Sequence, residues 1–135
     1  MATAPRRGGP TSADPVWVVF PKTAQRRAKR ALDALKVLPK SRQFGTATGR
    51  AMARAMAAGK AVDARKVSHF FPRWRTRIRD REVLGWTPMD DKVIGASDLW
   101  GGPPGDRFAV QAVERAERVR TKRDGGRARR TTYIG

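Results

Sequence analysis

Apolar and polar positions recur along this chain with a helical period, most clearly between Gly45 and Trp74. An alanine-rich segment with Met52 and Met56 one turn apart ends at Gly59, a residue suited to the left-handed conformation that follows a last helical turn. A second helix is predicted to open on Asp63 as its N-cap. Val62 precedes the cap, and Val67 stands where a hydrophobic staple lands. Val67, Phe70, Phe71 and Trp74 then follow at i, i+3, i+4 and i+7, a single apolar stripe that marks the centre of the core.

The flanking segments are read in the same way. VWVVF, between Pro15 and Pro21, is β-branched and short. No second strand is legible, so it is expected as an extended segment across the helices, anchored by Trp17 and Phe20. Lys22 to Leu38 is predicted as a helix capped by Thr23, with Ala28, Ala31, Leu32, Leu35 and Leu38 inward and Pro39 ending it. After Pro72, arginine occupies every second position (Arg73, Arg75, Arg77, Arg79, Arg81), and a kinked helix end running into an irregular basic loop is expected. Thr87, Pro88, Asp90 and Asp91 read as cap, N1 proline and first-turn acids of a helix carrying Val93, Ile94, Leu99 and Trp100. Gly101-Gly102 should end it and Pro103-Pro104 should prevent a restart. Asp106 is expected to cap a last helix with Phe108, Ala109, Ala112, Val113, Ala116 and Val119 on one face. The prediction is an all-α single small domain of about five helices over residues 15–120, with disordered basic tails at 1–14 and 121–135.

Charge adds the main functional signal. Thirty Lys and Arg face twelve Asp and Glu, a formal net charge of +18. A chain so self-repelling calls for a polyanionic partner, nucleic acid first, with DNA ahead of RNA. Cysteine is absent, which excludes disulfides and Cys-ligated zinc. The first residues lack the apolar stretch of a signal peptide, and no apolar run approaches the ~20 residues of a membrane span. The expectation is therefore no membrane partner and a place in a host cytoplasm or a virion.

The bases fall in three segments. Lys22 to Arg42 holds positions 22, 26, 27, 29, 30, 36, 40 and 42 against Asp33 alone. Solvation would be served by a mixed face, and this one is nearly single-signed. Arg65 to Arg81 and Arg115 to Arg130 are similarly biased. The candidate phosphate-binding residues are Lys22, Arg26, Lys29 and Arg30, then Arg73, Arg75, Arg77 and Arg79. Arg120, Lys122, Arg123, Arg127, Arg129 and Arg130 complete them. Guanidinium suits phosphate because it donates two parallel hydrogen bonds. No helix shows a pattern of polar base-reading side chains, so weak sequence specificity is expected. Trp86, flanked by Gly85 and Thr87, is the tryptophan expected at the surface; Trp17, Trp74 and Trp100 are assigned to the core.

Catalytic readings are weaker. His69 follows Ser68, but no nucleophile motif surrounds any serine, and a helix-surface histidine accounts for it. Asp90, Asp91, Asp98 and Asp106 could supply a two-metal nuclease, yet three of them serve helix starts. Gly101 to Gly105 lacks the GK[ST] of a phosphate loop and reads as a tight turn. Met52 and Met56 fill core space. The expectation is thus a non-enzymatic protein with no catalytic residue, metal or cofactor. A virion structural protein whose basic arms meet packaged genome or an acidic capsid surface is the alternative, and a metal-dependent nuclease a minor one.

Several fragments in order, LPKSRQFGTATGRAMARAMAAGKAV, VSHFFPRW, an intervening Trp86 and LWGGPPGDRFA, resemble a small helical domain that recurs in tailed-bacteriophage proteins. The resemblance covers Leu38 to about Arg115. It rests on Gly45, Thr46, Gly49, Arg50, Ala51, Ala55, Gly59, Phe70, Phe71, Arg73, Trp86, Leu99, Trp100, Gly101, Gly102, Gly105, Phe108 and Ala109. Trp74 stands where that family usually has His, and Phe108 where it usually has Trp. The resemblance implies a phage origin, an all-helical fold and a possible role beside phage structural proteins. It implies no catalytic activity.

Overall fold

The computed structural model describes residues 14–134, with side chains described through residue 122. In chain order the elements are β1 (Trp17–Val19), α1 (Lys22–Val37), a 3-10 turn (Lys40–Arg42), α2 (Ala47–Ala57), β2 (Ala61–Asp63), α3 (Ala64–Phe70), α4 (Arg75–Val83), α5 (Lys92–Leu99) and α6 (Gly102–Ile134). Helices carry the fold, and the class is all-α. The tail expected at the N-terminus lies outside the described residues but for Asp14, and the one expected after Arg120 lies largely beyond the described side chains.

α1 is the spine, packed against α2, α5 and α6. Its inner face is alanine: Ala24, Ala28, Ala31 and Ala34 are buried at steps of four and three residues. Leu32 and Leu35, expected at the centre of the stripe, lie half-buried at its edge. Small side chains let the neighbouring helices approach closely, and large ones fill the space between them. The second spine is α3 against α6. There Val67 and Phe71 are buried, as the stripe predicts, while Phe70 and Trp74 lie half-buried on its flank.

The turn between α2 and α3 is where sequence and structure agree best. Gly59 takes φ 76° after α2, and Asp63 caps α3 by accepting from the backbone N–H of Arg65 at 3.0 Å. The same Asp63 oxygen accepts from Val16 N–H at 2.9 Å, which ties the strand to the helix start. The second strand that the sequence does not reveal is Ala61–Asp63 itself. It pairs antiparallel with β1 in the register Trp17↔Asp63, Val18↔Val62, Val19↔Ala61. Three residues between a C-capping glycine and an N-cap are too few to show a period of two. Pairing also corrects the anchors: Phe20 is buried, tilted against Phe108 at 4.9 Å between ring centres, but Trp17 faces out at 63% exposure.

Other corrections concern helix ends. Pro21, with no side-chain cap, precedes α1 in place of Thr23. The arginine run is a regular helix, α4, rather than a loop. The break falls at Phe71–Trp74, around Pro72, and α4 docks through the single buried Ile78. Thr87 and Asp90 close a separate turn, and Asp91 caps α5 by accepting from Ile94 N–H at 3.0 Å. Pro103 and Pro104 do not block α6 but form its first turn, where no intrahelical partner needs their missing N–H. Asp106 therefore lies inside the helix instead of capping it. Val119, expected on the inward face, is exposed, while Glu117 beside it still pairs with Arg65 of α3.

Gly45, Gly49, Phe70, Leu99 and Trp100, five of the positions that carry the resemblance, meet at one place. Gly45, at φ 85°, passes so close to Leu99 that a Cβ would collide with its side chain, and a Cβ on Gly49 would lie 3.2 Å from the Trp100 indole nitrogen. Phe70 stacks on Trp100 at 5.2 Å. Those motifs thus specify how α2, α3 and α5 seat on one another. Phe71, buried beneath them, is the test of that core: Phe71→Ala should cost about 3–5 kcal/mol in denaturant unfolding, and an unchanged midpoint would place the core elsewhere.

Candidate nucleic-acid interface

Which bases are available is decided by the few acids. Asp98 on α5 is fully buried and accepts from Arg30 Nε at 2.6 Å and from an Arg27 terminal nitrogen at 3.1 Å. Arg27 also forks onto Glu82 of α4 with bonds of 2.6 and 2.9 Å. The network joins α1, α4 and α5. Burial pushes the Asp98 carboxyl above its ordinary value against the pull of both guanidiniums, whereas the Arg27 hydrogen bond holds Glu82 below its own. Arg27 is raised, its bond to Glu82 being the largest cause.

The candidates therefore divide. Arg30 belongs to the internal network. Lys29 pairs with Asp33 at 3.0 Å, an exposed pair of little net worth that leaves the ammonium accessible. Lys22 and Arg26 are exposed with no partner among the described residues. On α4, Arg75 forks onto Asp106 at 2.7 and 2.8 Å, and Arg77 lies over the Trp74 ring at 5.3 Å. Arg73 and Arg79 are exposed without a partner among the described residues. On α6, Arg120 pairs with Glu117 at 2.9 Å and Lys122 is exposed. The side chains of Arg123, Arg127, Arg129 and Arg130 lie outside the described residues.

Sequence reasoning also missed residues in both directions. Arg65, one of the counted bases, is a strut only 7% exposed: it donates to Asp14 O at 2.6 Å and Glu117 at 2.8 Å. Lys40, Arg54, Lys60, Lys66, Lys92, Arg107, Arg115 and Arg118, none of them singled out, are exposed and without partners among the described residues. Arg54 borders a groove between α1 and α2 with Lys29, Lys36 and Arg50 around a floor of Leu32, Leu35 and Ala57. A second groove carries Arg26, Lys29 and Arg30 beside Val37, Pro88 and Met89. Only the contact map could reveal which bases are struts, since charge pairs across helices leave no local signature.

The acids expected as alternatives to catalysis are placed at structural tasks. Asp91 is a cap, Asp90 closes the Thr87 turn, and Asp98 and Asp106 hold arginines. Among the described residues no group of three or more His, Cys, Asp or Glu could hold a metal ion. His69 is on the helix surface, and Trp86 is exposed with the Arg81 guanidinium 5.9 Å from its ring centre. Among the described residues no helix is long and apolar enough to cross a membrane. Comparison of the chain with protein-family models, with curated proteins and with solved structures returns no match.

Two predictions concern the network. Arg27→Ala should cost about 3–5 kcal/mol, the usual penalty for leaving a buried charge short of a partner, near the low end because Arg30 remains. A depressed Glu82 pKa stabilises the fold above the ordinary value of 4.5 and loses that contribution as the pH falls through the folded value. The melting-temperature gap between wild type and Glu82→Gln should therefore be widest at neutral pH and close under acid. A gap independent of pH would show that the Glu82 charge does not support the fold.

Proposed function

We propose that this protein is a phage-encoded, non-enzymatic nucleic-acid-binding accessory protein that grips the phosphate backbone with weak sequence specificity. The observation that supports it is the charge left after internal pairing. Thirteen described Lys and Arg side chains are exposed and unpartnered among the described residues: 22, 26, 40, 54, 60, 66, 73, 79, 92, 107, 115, 118 and 122. Among the described acids only Asp14, Asp80, Asp90 and Glu114 hold no base and serve as no helix cap, and Asp90 is engaged by the Thr87 turn. Folding thus concentrates the positive excess at the surface, where a polyanion can use it.

Weak specificity follows from chemistry and placement. The free bases are point charges and forks spread over several helices, and Gln111, one turn from Arg107 and Arg115 on α6, is the one exposed amide side chain beside them. Backbone contacts of this kind give affinity and orientation without sequence information. A virion structural role is the second reading. Exposed Val83 and Leu84, 81% and 62% accessible and close in sequence to exposed Trp86 and Met89, favour it as apolar side chains that a protein partner could cover.

A salt series separates the two. On duplex DNA the log–log slope of affinity against salt should be steep, roughly −0.9 per contacted phosphate. Lys22→Ala with Arg26→Ala should make it shallower by about one unit per lost contact, with melting unchanged. Removal of the residues after Lys122 should weaken binding further without altering base preference. If the combined variant keeps the wild-type affinity and slope, phosphate neutralisation by these bases is ruled out and the virion reading takes its place.

A further inference from the structure

One pocket on the described surface differs in kind from the basic grooves. It lies between the loop entering α2, the end of α3 and the face of α5, has a volume of about 340 Å³, and is lined by Phe44, Phe70, Trp74 and Val93 with Gln43 and Lys92. That volume is in the range of small-ligand sites. The grooves beside α1 each include Asp33, and the cleft at the start of α6 includes Glu82 and Asp106. This pocket is lined by no carboxylate.

Its rings are presented by the core. Phe71 takes the buried position at the end of the apolar stripe, which leaves Phe70 and Trp74 on the flank, half-buried. Phe70 lies nearly parallel to both tryptophans, 5.2 Å from Trp100 and 6.3 Å from Trp74, with 14° between planes in each pair. A set of aromatic planes thus runs outward from the core and ends at the pocket. Cations lie in its lining, at Lys92, and beside Trp74. Lys92 is exposed and unpartnered among the described residues, as is Arg73 next to Trp74, and Arg77 lies over the Trp74 ring. Gln43 donates both its amide hydrogens, to Leu35 O at 2.9 Å and Leu38 O at 2.7 Å. What it retains is an oxygen able to accept from an exocyclic amino group.

We infer that this pocket seats one unpaired nucleobase of a single strand, with Lys92, Arg73 and Arg77 holding the flanking phosphates. The inference rests on the nucleic-acid reading above and adds a preference for single strands to it. Stacking on ring faces is tolerant of base identity, which agrees with weak specificity. A duplex keeps its bases stacked on one another and has none to offer.

The test uses the full chain and two single-stranded probes of about twelve nucleotides, within the usual footprint of single-strand binders. One is a mixed-sequence deoxyoligonucleotide and the other an abasic deoxyribose-phosphate strand with the same number of phosphates. The base-bearing strand should bind about tenfold more tightly, the size of one good stacking contact, and should quench tryptophan fluorescence where the abasic strand does not. Trp74→Leu should erase that advantage, so that the two strands bind alike. Ala96 also lines the pocket, and Ala96→Leu, which fills it without removing a ring, should do the same if Trp74→Leu folds poorly. Equal binding of the two strands by the wild type overturns the inference and leaves the phosphate reading standing; no binding of either strand at low salt overturns both.

Discussion

The structure turns on one buried carboxylate. Asp98 has no contact with solvent, and two arginines from a single helix close over it. A charge in that position is tolerable only while both partners stay, because the interior offers no water in their place. α1 is therefore fixed in rotation: its alanine face must meet α2, α5 and α6 while Arg27 and Arg30 reach α5. Arg27 extends the constraint to α4 through Glu82. α4 needs it, having one buried apolar residue, Ile78, to hold it in place.

The same pairing sorts the charge of the molecule. In a chain with few acids, most of the described ones are committed to a helix end or an ion pair. The bases so engaged are held inward or along the surface as struts, and the rest are left outward. The affinity proposed for a polyanion and the stability of the fold thus draw on different members of one residue class. Arg26 and Arg27 show it: adjacent in sequence, one is exposed and unpartnered among the described residues and the other joins three helices.

How much could be read from sequence follows from how local each determinant is. Gly59, Asp63 and Val67 act within a few residues of themselves, so the α2–α3 turn and its stripe were legible. The strand Ala61–Asp63 was not, since its pattern is shorter than its period, and it exists because β1 lies alongside. Pro103-Pro104 was misread as a barrier because a first turn and a break have the same local chemistry; what separates them is the packing of Gly101 and Gly105 against Met56, Trp100 and Ala24. The arginine run was ambiguous for the same reason, with Ile78 its one buried apolar residue. Of the candidate site, Lys22, Arg26, Arg73, Arg79 and Lys122 are exposed and unpartnered among the described residues. Arg30 and Arg75 could not be told apart from them without the acids across the fold.

Aromatic placement carries the last step. Core residues of an apolar stripe are expected to vanish from the surface, and Val67 and Phe71 do. Phe70 and Trp74 do not, because α3 ends at Phe70 and the chain turns through Pro72 before α4 begins. The stripe is cut before its last members can be covered. The break that makes room for a separate arginine helix is thus also what brings ring faces to the surface beside it. Cations and stacking planes sit next to each other for a reason rooted in the backbone, and a single-stranded nucleic acid is the polyanion that offers phosphates and free ring faces together.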